Sequence, residues 1–112
     1  MTKKISAGTI PDEVLNFVFD EICKMPNGEI IFIAQDACLI QVEVHHKRRL
    51  AEWREEIFQR DDKTFAALKN KIRQEFSKLD YGQLSIKIQK GRVTQIERIV
   101  RHRFTGLDGE GI

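Results

Sequence analysis

Apolar residues recur first at helical spacing and then at every second position, and this two-part pattern occurs twice along the chain. In the first occurrence Val14, Val18, Ile22 and Met25 share one stripe, widened by Leu15 and Phe19. That is the spacing of a helix lying against a core. Pro11 suits its first turn, where no amide hydrogen is needed, and Asp12 and Glu13 sit favourably at the positive end of the helix dipole. Pro26-Asn27-Gly28 stops it. The pattern then turns extended: Ile30, Phe32 and Ala34 alternate with Ile31 and Ile33, and Ile40, Val42 and Val44 form a returning row. In the second occurrence Phe65, Leu68, Ile72, Phe76 and Leu79 make the helical stripe, and Asp80-Tyr81-Gly82 the stop. Leu84, Ile86 and Ile88 alternate with Ser85, Lys87 and Gln89, the mark of a strand with one dry and one wet face. Lys90-Gly91 supplies a tight turn, since glycine accepts the positive φ such turns require, and Val93 to Arg101 returns. The first hairpin, apolar on both faces, is expected to be the more covered of the two.

The two occurrences align at a constant offset of 54 with no gap: Asn16/Asn70, Glu21/Glu75, Lys24/Lys78, Gly28/Gly82, Gln35/Gln89, Gln41/Gln95, Glu43/Glu97 and Arg49/Arg103. Eight identities over 38 positions exceed the roughly two or three that average composition gives. The chain therefore reads as one domain, residues 1–112, holding two αββ units at 11–50 and 65–104. The expected fold class is α+β, a tandem αββ repeat forming a four-stranded antiparallel sheet with helices mainly on one face. One unit of about 40 residues has too little core to be comfortable alone. Two in one chain do covalently what a homodimer does by association. Between them AEWREEIFQRDDK, within residues 51–64, reads as a connector helix with Trp53, Ile57 and Phe58 on one face and a break near Asp61-Asp62. The tail 105–112 reads as mobile.

Composition narrows the function classes. With 112 residues, 41% hydrophobic and 32% charged, the chain has the make-up of a folded soluble domain. Its longest apolar run, Ile30 to Ala34, is too short to span a bilayer. The start carries lysines but no apolar signal-peptide core, so a cytoplasmic location is expected. Cys23 and Cys38 lack metal or redox spacing and read as packing residues in a reducing compartment. No phosphate-binding glycine loop, nucleophile–base arrangement or pair of carboxylates across a cleft is legible, so neither enzymatic activity nor a cofactor is expected.

Charge and polarity offer candidates for binding instead. Net charge is only +2, but from Gly82 to Phe104 Lys87, Lys90, Arg92, Arg98, Arg101 and Arg103 stand against Glu97 alone. They are candidates for phosphate contact, with Lys87 and Gln89 on one strand face and Arg98 as a possible neighbour. A solvated basic face is the plainer reading. Gln41/Gln95 and Glu43/Glu97 raise a sharper question. In a simple two-residue hairpin Phe32 faces Gln41 and Ile30 faces Glu43, as Ile86 faces Gln95 and Leu84 faces Glu97. That register buries an unpaired carboxylate, which is costly. Either a bulge between Val93 and Ile96, and between Leu39 and Val42, turns these groups outward, or they meet partners such as Arg49 and Arg103. His45-His46 is a poor metal pair, because adjacent strand residues point to opposite faces.

Tyr81-Gly82, the alternating Ser85-Ile86-Lys87-Ile88, Gln89, Gly91 and the run Val93 to Arg98 ending in Arg103-Phe104 resemble the YezD-like small bacterial proteins. The likeness is good over residues 65–104 and weaker over 14–50, where Asn27, Ala37 and Val44 replace the tyrosine, turn glycine and arginine. It implies single αββ units of uncharacterised function. The expected function is a non-enzymatic binding or regulatory module, acting through the second hairpin or by self-association or a protein partner. Nucleic-acid binding through the basic hairpin is the alternative, and no membrane partner is expected.

Overall fold

A computed structural model of the chain describes residues 7–52, 58 and 61–102. Its elements are α1 (Asp12–Cys23), β1 (Asn27–Gln35), β2 (Cys38–Lys47), a 3-10 turn (Leu50–Glu52), α2 (Asp62–Phe76), β3 (Gly82–Gln89) and β4 (Arg92–Val100). This is the α+β fold that the periodicities predict. The connector residues Trp53 and Ile57, and the tail, lie outside the described residues. The second helix begins at Asp62, ahead of Phe65, because the Asp61 carboxylate caps it by accepting from the Lys63 and Thr64 amides. Such a cap satisfies donors the helix itself leaves unbonded.

All four strands join one antiparallel sheet in the order β2-β1-β3-β4. Each hairpin thus supplies one central and one edge strand, which corrects the expectation that the first hairpin is central or doubly covered and the second more exposed. Apolar residues on both faces of β1 follow from its central position, and β3 shares that position. In the central pair Ile31 faces Ser85, two residues that are themselves 54 apart. From Gly28–Ile88 to Ala34–Gly82 each other pair has a counterpart in which the halves exchange roles, as Ile30–Ile86 has Phe32–Leu84. A pseudo-twofold axis therefore passes between Ile31 and Ser85.

Both helices cover one face. Ile30, Phe32, Ala34, Leu84, Ile86 and Ile88 meet Leu15, Val18, Phe19, Ile22, Phe65, Ile72 and Phe76 in a single core. The helices run antiparallel to each other: the Phe19 and Phe65 rings stack at 4.6 Å, Lys69 donates to Asn16 at 3.2 Å, and Arg73 pairs with Asp12. Phe32 and Phe76 meet edge to face at 6.4 Å, tying β1 to α2.

Each hairpin turn docks on the far half of the chain. Lys90 and Gly91 donate their amides to Pro26 and Met25 at the end of α1, at 2.6 and 2.9 Å, and Ala37 donates to Asp80 beyond α2 at 2.9 Å. Both turns use left-handed backbone, with φ of 52° and 62° at Asp36 and Ala37, and 52° and 71° at Lys90 and Gly91. At Gly91 a β-carbon would also stand 2.3 Å from the Phe58 side chain. Glycine is needed there twice over.

Candidate binding face

The strand positions left over by the core form a face of the sheet that no helix among the described residues covers, its helix-free face. Which polar groups lie on it is decided by two β-bulges. Ile33 faces Gln41 while Ala34 faces Leu39, leaving Ile40 unmatched; Lys87 faces Gln95 while Ile88 faces Val93, leaving Thr94 unmatched. An extra residue reverses the facing of everything beyond it. Glu43 consequently sits beside Ile31, and Glu97 beside Ser85, on the helix-free side. The simple hairpin register is overturned, and the bulge resolves the buried-carboxylate problem. The carboxylates find neighbours within their own strands: Gln41 Nε2 donates to Glu43 at 3.0 Å and Gln95 Nε2 to Glu97 at 3.3 Å, while His45 Nε2 lies 2.9 Å from Glu43. Arg49 makes none of these contacts, and Arg103 lies outside the described residues.

At the axis Ser85 is 3% exposed. Its hydroxyl donates to Glu29 at 2.5 Å, so the one buried polar side chain among the described residues is satisfied. Row by row across β2-β1-β3-β4, the face reads Lys47–Asn27–Gln89–Arg92, His45–Glu29–Lys87–Gln95, Glu43–Ile31–Ser85–Glu97 and Gln41–Ile33–Gln83–Ile99.

The basic residues singled out from the sequence do not form one track. Lys87 is exposed on the helix-free face. Lys90 is in the turn, and Arg92 borders a hollow of about 710 Å³ beside Asp61 and Asp62 at the start of α2. Arg98 lies opposite Leu84 on the helix side and pairs with Glu75 of α2 at 2.9 Å. The expectation that Arg98 joins Lys87 fails because the bulge turns it to the other face. Lys71 hydrogen-bonds Glu75, and Lys78 and Arg98 add their charges; together they hold that carboxyl below its usual pKa. Arg101 follows β4 at the opposite end of the sheet, its amide donating to Tyr81 at 2.8 Å. Arg103 lies outside the described residues. Gln95 and Glu97 do share the face with Lys87, as does Arg92 by its pairing with Gln89.

What meets Lys87 instead comes from the first half. An open cleft of about 630 Å³ is lined by Lys47, Arg48, Arg49 and Lys87 together with Asn27 and Gln89, and Glu29 is its one carboxylate among the described residues. The signal was present as the run Lys47-Arg48-Arg49, directly after the two histidines. Its importance depends on the β1–β3 pairing, which sets the end of β2 near Lys87 across two strands. His45 and His46 point to opposite faces as their adjacency requires, His46 reaching Glu21 of α1 at 3.1 Å. Among the described residues no three His, Cys, Asp or Glu side chains gather as metal ligands. No helix among them is long and apolar enough to cross a membrane.

A family model described as an uncharacterized small protein (DUF2292) matches residues 69–104. The match takes in most of α2, both strands of the second hairpin and the turn between them. No curated protein and no solved structure matches the chain.

Proposed function

We propose that the chain is a non-enzymatic binding module that takes a polyanionic partner at the basic end of its helix-free face. The observation that carries this is the convergence of Lys47, Arg48, Arg49 and Lys87, from both halves of the chain, around one open cleft where Glu29 is the single carboxylate among the described residues. Cations gathered on one concave surface raise the local concentration of anions and gain free energy by releasing counterions from them. The same reading treats the chain as a fused pair of αββ units related to the YezD-like proteins. Its support is the shared offset of 54, the bulges at Ile40 and Thr94, and the reciprocal pairing about Ile31 and Ser85.

Binding of mixed-sequence single- and double-stranded oligonucleotides, followed by fluorescence anisotropy over a range of salt, tests the proposal. Four phosphate contacts give a log–log salt slope of about −3 to −4 on a duplex. The Lys47→Glu/Lys87→Glu double variant is expected to weaken binding and flatten that slope. Affinity that ignores salt, or survives the double charge reversal, refutes the reading.

A further inference from the structure

The cations of the cleft are concentrated at one end of the helix-free face. Lys47 faces Asn27 and Asn27 faces Gln89, while Lys87 stands two residues further along β3. Lys47 and Lys87 are thus two strand spacings and two residues apart, which makes ~12 Å between their α-carbons. Arg48 and Arg49 follow Lys47 at the end of β2 and line the same cleft. Away from this end the sign of the charge changes. Glu43 and Glu97 occupy the edge strands one row beyond Lys87, and at the far end Asp36 accepts the Tyr81 hydroxyl.

We infer that the cleft takes a compact polyphosphate, a ligand with three or more phosphoryl groups in close succession, recognised by those groups alone. The inference rests on the polyanion-binding reading above and names the class of ligand. The cleft's volume of about 630 Å³ lies within the range of roughly 300–1,000 Å³ typical of small-molecule sites. Lysines bind phosphate as point charges on flexible stems, and arginines as planar forks that take two oxygens at once. Four such groups around one hollow suit charge packed at high density. An extended polyanion spreads its charge over a longer path, and along this face that path meets Glu43 and Glu97. The described lining residues include no aromatic side chain on which a base could stack. Glu29 limits affinity from within the cleft. It stands opposite Lys87 and accepts the Ser85 hydroxyl, and its charge repels the ligand's.

Calorimetric titration of the full chain with orthophosphate, tripolyphosphate, adenosine triphosphate and a mixed-sequence duplex oligonucleotide tests this. Tripolyphosphate is expected to bind at least ~10-fold more tightly than orthophosphate, because its further phosphoryl groups engage while tethered to the first. Adenosine triphosphate, which carries the same phosphate chain, should bind no more tightly than tripolyphosphate. Lys47→Glu and Lys87→Glu should each weaken tripolyphosphate binding, and Arg101→Glu, at the opposite end of the sheet, should leave it unchanged. Glu29→Gln keeps an acceptor for Ser85 and should tighten it, a gain that a damaged fold cannot produce. Tripolyphosphate no tighter than orthophosphate, beside a duplex that binds with steep salt dependence, overturns the compact ligand but leaves the polyanion reading standing. Adenosine triphosphate far tighter than tripolyphosphate overturns recognition by phosphates alone. Tripolyphosphate binding indifferent to both Lys47→Glu and Glu29→Gln overturns the site. Failure of all four probes to bind at low salt overturns this inference and the polyanion reading together.

Discussion

Ala37 shows what the missing glycine costs. Its φ of 62° is a conformation that non-glycine residues adopt at a penalty of about 1–2 kcal/mol, offset in part by the smaller entropy an alanine loses on folding. The Ala37 amide bond to Asp80 and the Gly8 amide bond to the Ala37 carbonyl hold the turn in place. Ala37→Gly is therefore expected to raise unfolding free energy by about 0.5–1 kcal/mol, read from the urea midpoint at unchanged slope. The equivalent Gly91 offers no such freedom, because any side chain there meets Phe58.

At the scale of elements, two carboxylates secure α2. The Thr64 hydroxyl and amide, with the Lys63 amide, lower the Asp61 pKa, while Lys71 first and then Lys78 and Arg98 lower that of Glu75. A carboxyl whose pKa is lower in the folded than in the unfolded state contributes stability above its unfolded value, and that contribution is lost as pH falls through the folded value. The denaturation midpoint is expected to drop as pH falls below about 4, and less steeply in Asp61→Asn and Glu75→Gln. Both variants should also be less stable than the parent at neutral pH. The helices were legible in advance because Val18, Ile22, Ile72 and Phe76 repeat at 3.6-residue spacing, a property of local sequence. Which face Gln95, Glu97 and Arg98 occupy was not, since a single unmatched residue at Thr94 decides it and period-two alternation carries no mark of where the count slips. The cleft was hidden for a related reason. Lys47 and Lys87 are 40 residues apart in sequence, and only the pairing of β1 with β3 brings them to one end of the face.

Over the whole molecule, the halves are bound by more than a shared core. Each turn borrows its hydrogen-bond acceptors from the opposite half, Lys90 from Pro26 and Ala37 from Asp80. Opening one half strips the other of its support, so the fold should open as one unit. Native-state hydrogen exchange is expected to give the Ala37 and Lys90 amides similar opening free energies, near the global value from denaturation. Much faster exchange at one of the two turns contradicts this coupling.

The paired bulges have a further effect, at the outer margins of the sheet. β2 and β4 end it on either side, and an edge strand with a row of free peptide groups is a template onto which another chain can add. Ile40 and Thr94 each interrupt that row and strengthen the local twist, so a straight neighbouring strand cannot stay in step along either margin. The irregularity that turns Glu43 and Glu97 outward thus also discourages copies of this chain from growing into fibres.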